Sequence, residues 1–147
     1  MGSLTLPGGG TIYVDAMAVI YTVERYPDYW PLLEPMWVAA SAGTIDIVTS
    51  ELTIMEVLVK PLKTKDAALV LAFDQSLTET DTRLLPITQS ILRDAAHLRA
   101  TTKLRTPDAI HAASAQQIGC SLFVTNDTGF RAVPGLPVVI LDELKTP

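Results

Sequence analysis

Thr11-Ile12-Tyr13-Val14-Asp15-Ala16-Met17-Ala18-Val19-Ile20-Tyr21 joins two structural readings at one acidic residue. Residues 11–14 form a short apolar run, the pattern of a buried strand. Residues 16–25 read as a helix that begins just after Asp15. Asp15 therefore belongs at the carboxyl end of a strand, the edge where open α/β sheets receive their ligands.

The same alternation repeats along the chain. Residues 31–42 read as a second helix ending at Gly43, and residues 44–48 as a second strand. Ser50 is placed to cap the helix carrying Glu56, which is expected to stop near Pro61, and Thr64 to cap a helix over 65–76. Residues 82–87 read as a third strand interrupted by Pro86, and residues 89–101 as a further helix. Thr106-Pro107 is a start signal, an N-cap followed by proline, for a helix reaching Ile118 with Asp108 in its first turn. Residues 121–125 give a fourth strand, 126–129 a turn and 138–141 a fifth strand. Strands alternating with helices imply a mostly parallel sheet covered on both faces, so the expected fold is a single three-layer α/β domain over residues 11–145. Residues 1–10, small and Gly-rich, read as a flexible segment. Their Gly8-Gly9-Gly10 run precedes a strand, whereas a dinucleotide-binding loop must follow one.

Composition narrows the chemistry. A chain of 147 residues with 48% apolar and 18% charged residues is sized and patterned for one globular domain. The longest uninterrupted apolar stretch, residues 67–73, falls far below the roughly 20 residues a membrane helix needs. With the first basic residue at Arg25 there is no secretory pattern, and a cytoplasmic protein is expected. A lone Cys120 and two His leave no zinc-type cluster, so any metal must be held by oxygen. The net charge of −5 speaks against a protein that coats nucleic acid, yet Lys60, Lys63 and Lys65 form one basic cluster and Arg99, Lys103 and Arg105 another. Each reads either as solvated surface or as a phosphate contact.

Four acids stand out, and singly each has an ordinary explanation. Asp15 reads as a helix N-cap, Asp127 as a turn former in Thr125-Asn126-Asp127-Thr128-Gly129, and Asp108 as a carboxylate favoured by a helix N-terminus. Glu56 is different. It lies on a strongly apolar helix with no Arg or Lys at helical spacing before Lys60, so a buried charge there needs a partner, a metal or a group elsewhere in the fold.

Taken together, the segments carrying these acids resemble the motifs of PIN-domain nucleases. Residues 13–21 look like the first motif, an Asp that ends a strand and opens a helix, with Ala16, Met17 and Ala18 where a small hydroxyl or amide residue is often found. Thr49-Ser50-Glu51-Leu52-Thr53-Ile54-Met55-Glu56 resembles the second, Thr106-Pro107-Asp108-Ala109-Ile110-His111-Ala112-Ala113 the third and most specific, and Val124-Thr125-Asn126-Asp127 with Phe130 the fourth. The match is closest in size to the VapC-type toxins of toxin-antitoxin pairs. The resemblance implies a five-stranded parallel sheet of order 3-2-1-4-5, which would bring Asp15, Glu56, Asp108 and Asp127 together as catalytic metal ligands.

Four carboxylates brought close repel one another unless a cation compensates them, and Mg²⁺ or Mn²⁺ suits an all-oxygen donor set. The expected activity is a ribonuclease in which Asp15 and Asp108 hold the main ion, Glu56 and Asp127 bind through water or complete a second site, and a metal-activated water attacks the scissile phosphate in line. Thr125 and Asn126 are candidates to orient that water or contact phosphate, with turn formation the ordinary reading of Asn126; Lys103 and Arg105 are candidates to hold RNA. His111 reads as a packing residue. The resemblance further implies a homodimer, and an antitoxin segment bound near the early helices, where Tyr29, Trp30, Leu32, Leu33, Met36 and Trp37 gather; simple core packing is the other reading of these residues. The alternative is a non-catalytic PIN-fold module that binds RNA or protein by contact alone.

Overall fold

In the computed structural model, residues 2–145 are described; Met1, at the head of the segment read as flexible, and residues 146–147 lie outside the described residues. The chain runs β1 (Thr11–Val14), α1 (Ala16–Val23), α2 (Trp30–Ser41), β2 (Asp46–Ser50), α3 (Leu52–Lys63), α4 (Ala67–Thr78), β3 (Arg83–Leu85), α5 (Gln89–Thr101), α6 (Thr106–Ile118), β4 (Leu122–Thr125) and β5 (Val138–Ile140), with 3₁₀ turns at Thr128–Ala132 and Leu141–Leu144. All strand pairings are parallel, and the sheet order is β3-β2-β1-β4-β5, as the family resemblance implied. Order reverses between β1 and β4, so the carboxyl ends of these two central strands flank the topological switch point.

Alternation along the strands divides the core into two layers. Ile12, Val14, Ile47 and Val124 face α1 to α4, packing against Val19, Leu33, Met36 and Phe73. Tyr13, Val48 and Phe123 face α5 and α6, packing against Ile91, Leu98 and the alanines of α6. Tyr13 and Phe123 are cross-strand partners with rings stacked 5.1 Å apart. Ala109, Ala112, Ala113 and Ala115 are all fully buried, so α6 presses on the sheet through methyl groups and its backbone lies close to the strands.

Local differences from the sequence reading have local causes. The second strand begins and ends two residues later than expected, which places Ser50 inside it; its hydroxyl still accepts from the Leu52 amide at 3.1 Å. The helix carrying Glu56 continues past Pro61 to Lys63; the proline ring is buried, which offsets the backbone bond it removes. Thr64 does not cap α4, because its hydroxyl turns back to the Lys60 and Pro61 carbonyls, and Asp66 caps instead by accepting from the Leu69 amide. Lys65 between them takes a left-handed φ of 56°. At α6 the capping position is Arg105, one residue earlier than expected, and the Thr106 hydroxyl accepts from Arg99.

Candidate active site

Asp15 follows Val14 at the end of β1 and caps α1. One carboxylate oxygen accepts from the Ala18 amide at 3.1 Å, the other from the Thr125 hydroxyl at 2.5 Å. It is buried at 5% exposure, and burial pushes its carboxyl above the usual Asp range; the Thr125 bond opposes that rise, while the like charge of Glu56 adds to it. Thr125 ends β4, the strand paired with β1, so the switch point itself brings the hydroxyl to the acid. The same hydroxyl oxygen accepts from the Asp127 amide at 3.1 Å, linking the two aspartates through one buried side chain. A hydroxyl beside Asp15 is thus supplied by β4, although residues 16–18 carry none.

Asp127 is exposed, its carboxylate accepting from the Gly129 amide at 2.8 Å in the turn after β4. Phe130, fully buried against Phe123, anchors that turn. Asp108, in the first turn of α6, is half-buried. Its carboxyl is raised first by burial and next by the like charge of Asp127, then further by Glu56, against the favourable charges of His111 and Arg105. Glu56 projects from α3, one carboxylate oxygen 2.5 Å from His111 Nε2. Four acids from four separate elements therefore share one electrostatic neighbourhood.

Among the described residues, no three His, Cys, Asp or Glu side chains stand close enough to form a ready-made metal cage. The donor set still fits a hard cation that keeps several of its waters and takes only one or two carboxylates directly, as Mg²⁺ does. Raised carboxyls on Asp15 and Asp108 are the electrostatic strain that such a cation relieves.

The predicted RNA contacts separate. Lys103 and Arg105 line a cleft of about 530 Å³ together with Asp108 and Asp127. Arg99, exposed on α5, donates to the Leu104 carbonyl and the Thr106 hydroxyl, and so braces the loop that holds Lys103 and Arg105. Arg131 pairs with Glu143, while Lys60 and Lys63 sit in the last turn of α3 and do not line the cleft. Asn126 commits its amide to the Tyr21 and Tyr29 hydroxyls at 3.3 and 3.1 Å and its carbonyl to the Asp142 amide at 2.9 Å, tying the site turn to the early helices and the C-terminal 3₁₀ turn. Of the residues gathered around the second helix, Leu32, Leu33 and Met36 are core, and Trp37 donates to Thr22.

His111, read from the sequence as a packing residue, is buried and also meets a site acid, a contact the sequence did not show. It is buried at 2% exposure, with Nδ1 2.7 Å from the Tyr13 hydroxyl and Nε2 on Glu56. The available signal was its spacing, three residues after Asp108 on the same helix face.

A three-layer α/β/α domain with an acidic pocket at its topological switch point is the class that this fold and site define. The chain belongs to the PIN domain family, whose model matches residues 12–136. Among solved structures it is similar to VapBC2 from Rickettsia felis, at 16% identity and a TM-score of 0.72 over 88% of this chain and 98% of the other. It is also similar to a toxin-antitoxin complex from Klebsiella pneumoniae, at 24% identity and 0.66 over 88% and 97%. VapC20 from Mycobacterium tuberculosis, described as a sarcin-ricin-loop-cleaving toxin, aligns at 15% identity and 0.69 over 84% and 95%. These likenesses define the fold. No curated protein matches the chain in sequence. Among the described residues no helix is long and apolar enough to cross a membrane.

Proposed function

We propose that this chain is a divalent-cation-dependent ribonuclease and the toxin of a toxin-antitoxin pair. The observation that carries the reading is the cleft that sets Lys103 and Arg105 beside Asp108 and Asp127, with Glu56 felt electrostatically by both Asp108 and Asp15. Cationic side chains bordering a carboxylate pocket suit a phosphodiester that must reach a metal.

Asp15 and Asp108 would hold Mg²⁺ or Mn²⁺, with Glu56 and Asp127 completing the set. When bound, such an ion neutralises charge on the phosphoryl oxygens and lowers the pKa of a water, the chemistry of hydrolytic phosphodiester cleavage. Thr125 keeps the Asp15 carboxylate aimed by donating to it, and Asn126 holds the turn that carries Asp127. Lys103 and Arg105, which form no salt bridge among the described residues, are placed to receive backbone phosphates. Two of the similar structures are described as a VapBC or toxin-antitoxin complex, which supports an antitoxin partner here, and we extend the reading to a homodimer and a cytoplasmic setting.

The decisive experiment is cleavage of labelled RNA by wild-type protein, Asp15→Asn and Asp108→Asn, with Mn²⁺ and with excess EDTA. Cleavage by wild type alone, and only with metal, is expected. Full cleavage in EDTA would remove the metal from the reading, and wild-type rates in both variants would remove the ligands. RNA bound but left intact under every condition would favour the non-catalytic module.

A further inference from the structure

Tyr13, His111 and Glu56 form an unbroken hydrogen-bonded file across three elements, from β1 through α6 to α3. Ionised Glu56 can only accept, so His111 Nε2–H donates to it. In the tautomer protonated on Nε2, Nδ1 accepts from the Tyr13 hydroxyl at 2.7 Å. The imidazole stands edge-on to the Tyr13 ring, centroids 5.8 Å apart, which fixes its plane. The helix carrying Glu56 is pinned as well, since Thr53, one turn earlier, shares a buried 2.7 Å hydrogen bond with Thr49 of β2. With one Glu56 oxygen held by His111, the other has no protein partner among the described residues.

We propose that His111 is a positioning residue that, anchored by Tyr13, sets which carboxylate oxygen of Glu56 is presented to a divalent cation. It rests on the metal-site reading above. A partner that orients a ligating carboxylate typically changes metal affinity about 10–100-fold when removed. A packing role alone predicts no such change.

The test is Mn²⁺ affinity by titration calorimetry for wild type, His111→Leu, His111→Gln and Tyr13→Phe, with kcat and KM for RNA measured alongside. His111→Leu should bind Mn²⁺ about 10–100-fold more weakly and lower kcat while leaving KM for RNA unchanged. His111→Gln, which keeps an amide N–H donor at the Nε2 position, should recover most of the affinity. Tyr13→Phe, which deletes one hydroxyl, should weaken Mn²⁺ less and shift the His111 imidazole ¹⁵N resonances away from the Nε2–H tautomer. Equal or tighter Mn²⁺ binding in His111→Leu, or no recovery in His111→Gln, overturns the proposal. Should His111→Leu fail to fold, Tyr13→Phe decides, and wild-type affinity with an unmoved tautomer overturns it. Wild type that takes up no Mn²⁺ overturns it together with the metal reading. Failure of the ribonuclease reading alone looks different: RNA stays intact in wild type while Mn²⁺ affinity still follows His111.

Discussion

Asp15→Asn and Asp15→Ala separate two effects of one carboxylate. Asn keeps an oxygen for the Ala18 amide, so the cap of α1 survives, and its amide can still meet Thr125; Ala loses both. Losing an N-cap costs about 1 kcal/mol and a buried hydrogen bond about 1 kcal/mol more, so Ala should be less stable than Asn by about 2 kcal/mol. At roughly 3 °C per kcal/mol for a domain of this size, the gap in Tm is about 6 °C. The comparison with wild type carries a sign in pH. Burial raises the Asp15 carboxyl above its unfolded value, so its contribution is most favourable below the unfolded pKa and is lost as pH rises through the folded one. Metal-free Asp15→Asn should therefore gain on wild type as pH rises from about 4 to neutrality, the window that begins at the ordinary Asp value. Added Mn²⁺ should reverse the order by stabilising wild type alone. Thermal melts of the three proteins at several pH values, with and without Mn²⁺, provide the measurement. Equal Tm for Asn and Ala would refute the cap argument, and an Asn–wild-type difference flat in pH would refute the buried charge.

Replacing Lys103 and Arg105 together by Ala should weaken all RNA sequences alike and flatten the salt dependence of binding by roughly one unit of slope for each phosphate the pair neutralises, with kcat little changed; an unaltered slope would make the pair ordinary surface. Lys65→Gly should raise Tm by about 2 °C, because glycine relieves about 1–2 kcal/mol of left-handed strain and gives back about 0.5–1 kcal/mol in chain entropy, and a melt at or below wild type would contradict that account. Light scattering at micromolar concentration should return a dimer mass, and a strictly monomeric mass would remove the homodimer from the proposed function.

Strand and helix order was readable because each element carries its own periodicity, and α5 begins and ends where its pattern does. The cap of α4 was not, since Thr64 and Asp66 are both good capping types and the choice depends on where the preceding helix stops. Adjacency of β1 and β4 has no local signature; only the family resemblance supplied it. At the site, Asp15, Asp108 and Asp127 were visible as acids at element ends. His111 was not visible as a partner of Glu56, because 55 residues separate them and only the packing of α3 near α6 brings them together. The contacts of Arg99 and Arg131 were hidden for a similar reason: sequence gives their charge, but not that Arg99 donates to Thr106 or that Arg131 pairs with Glu143.

The buried alanines of α6 act as a spacer gauge. With only methyl groups on the helix side at Ala109, Ala112 and Ala113, α6 packs closely against the cluster that holds Tyr13, Val48 and Phe123, and that close packing fixes where Asp108 stands. Widening any of these positions by a single branched residue would move the helix outward and Asp108 with it. The spacing of the candidate site is thus guarded by its smallest side chains, which carry no chemistry of their own.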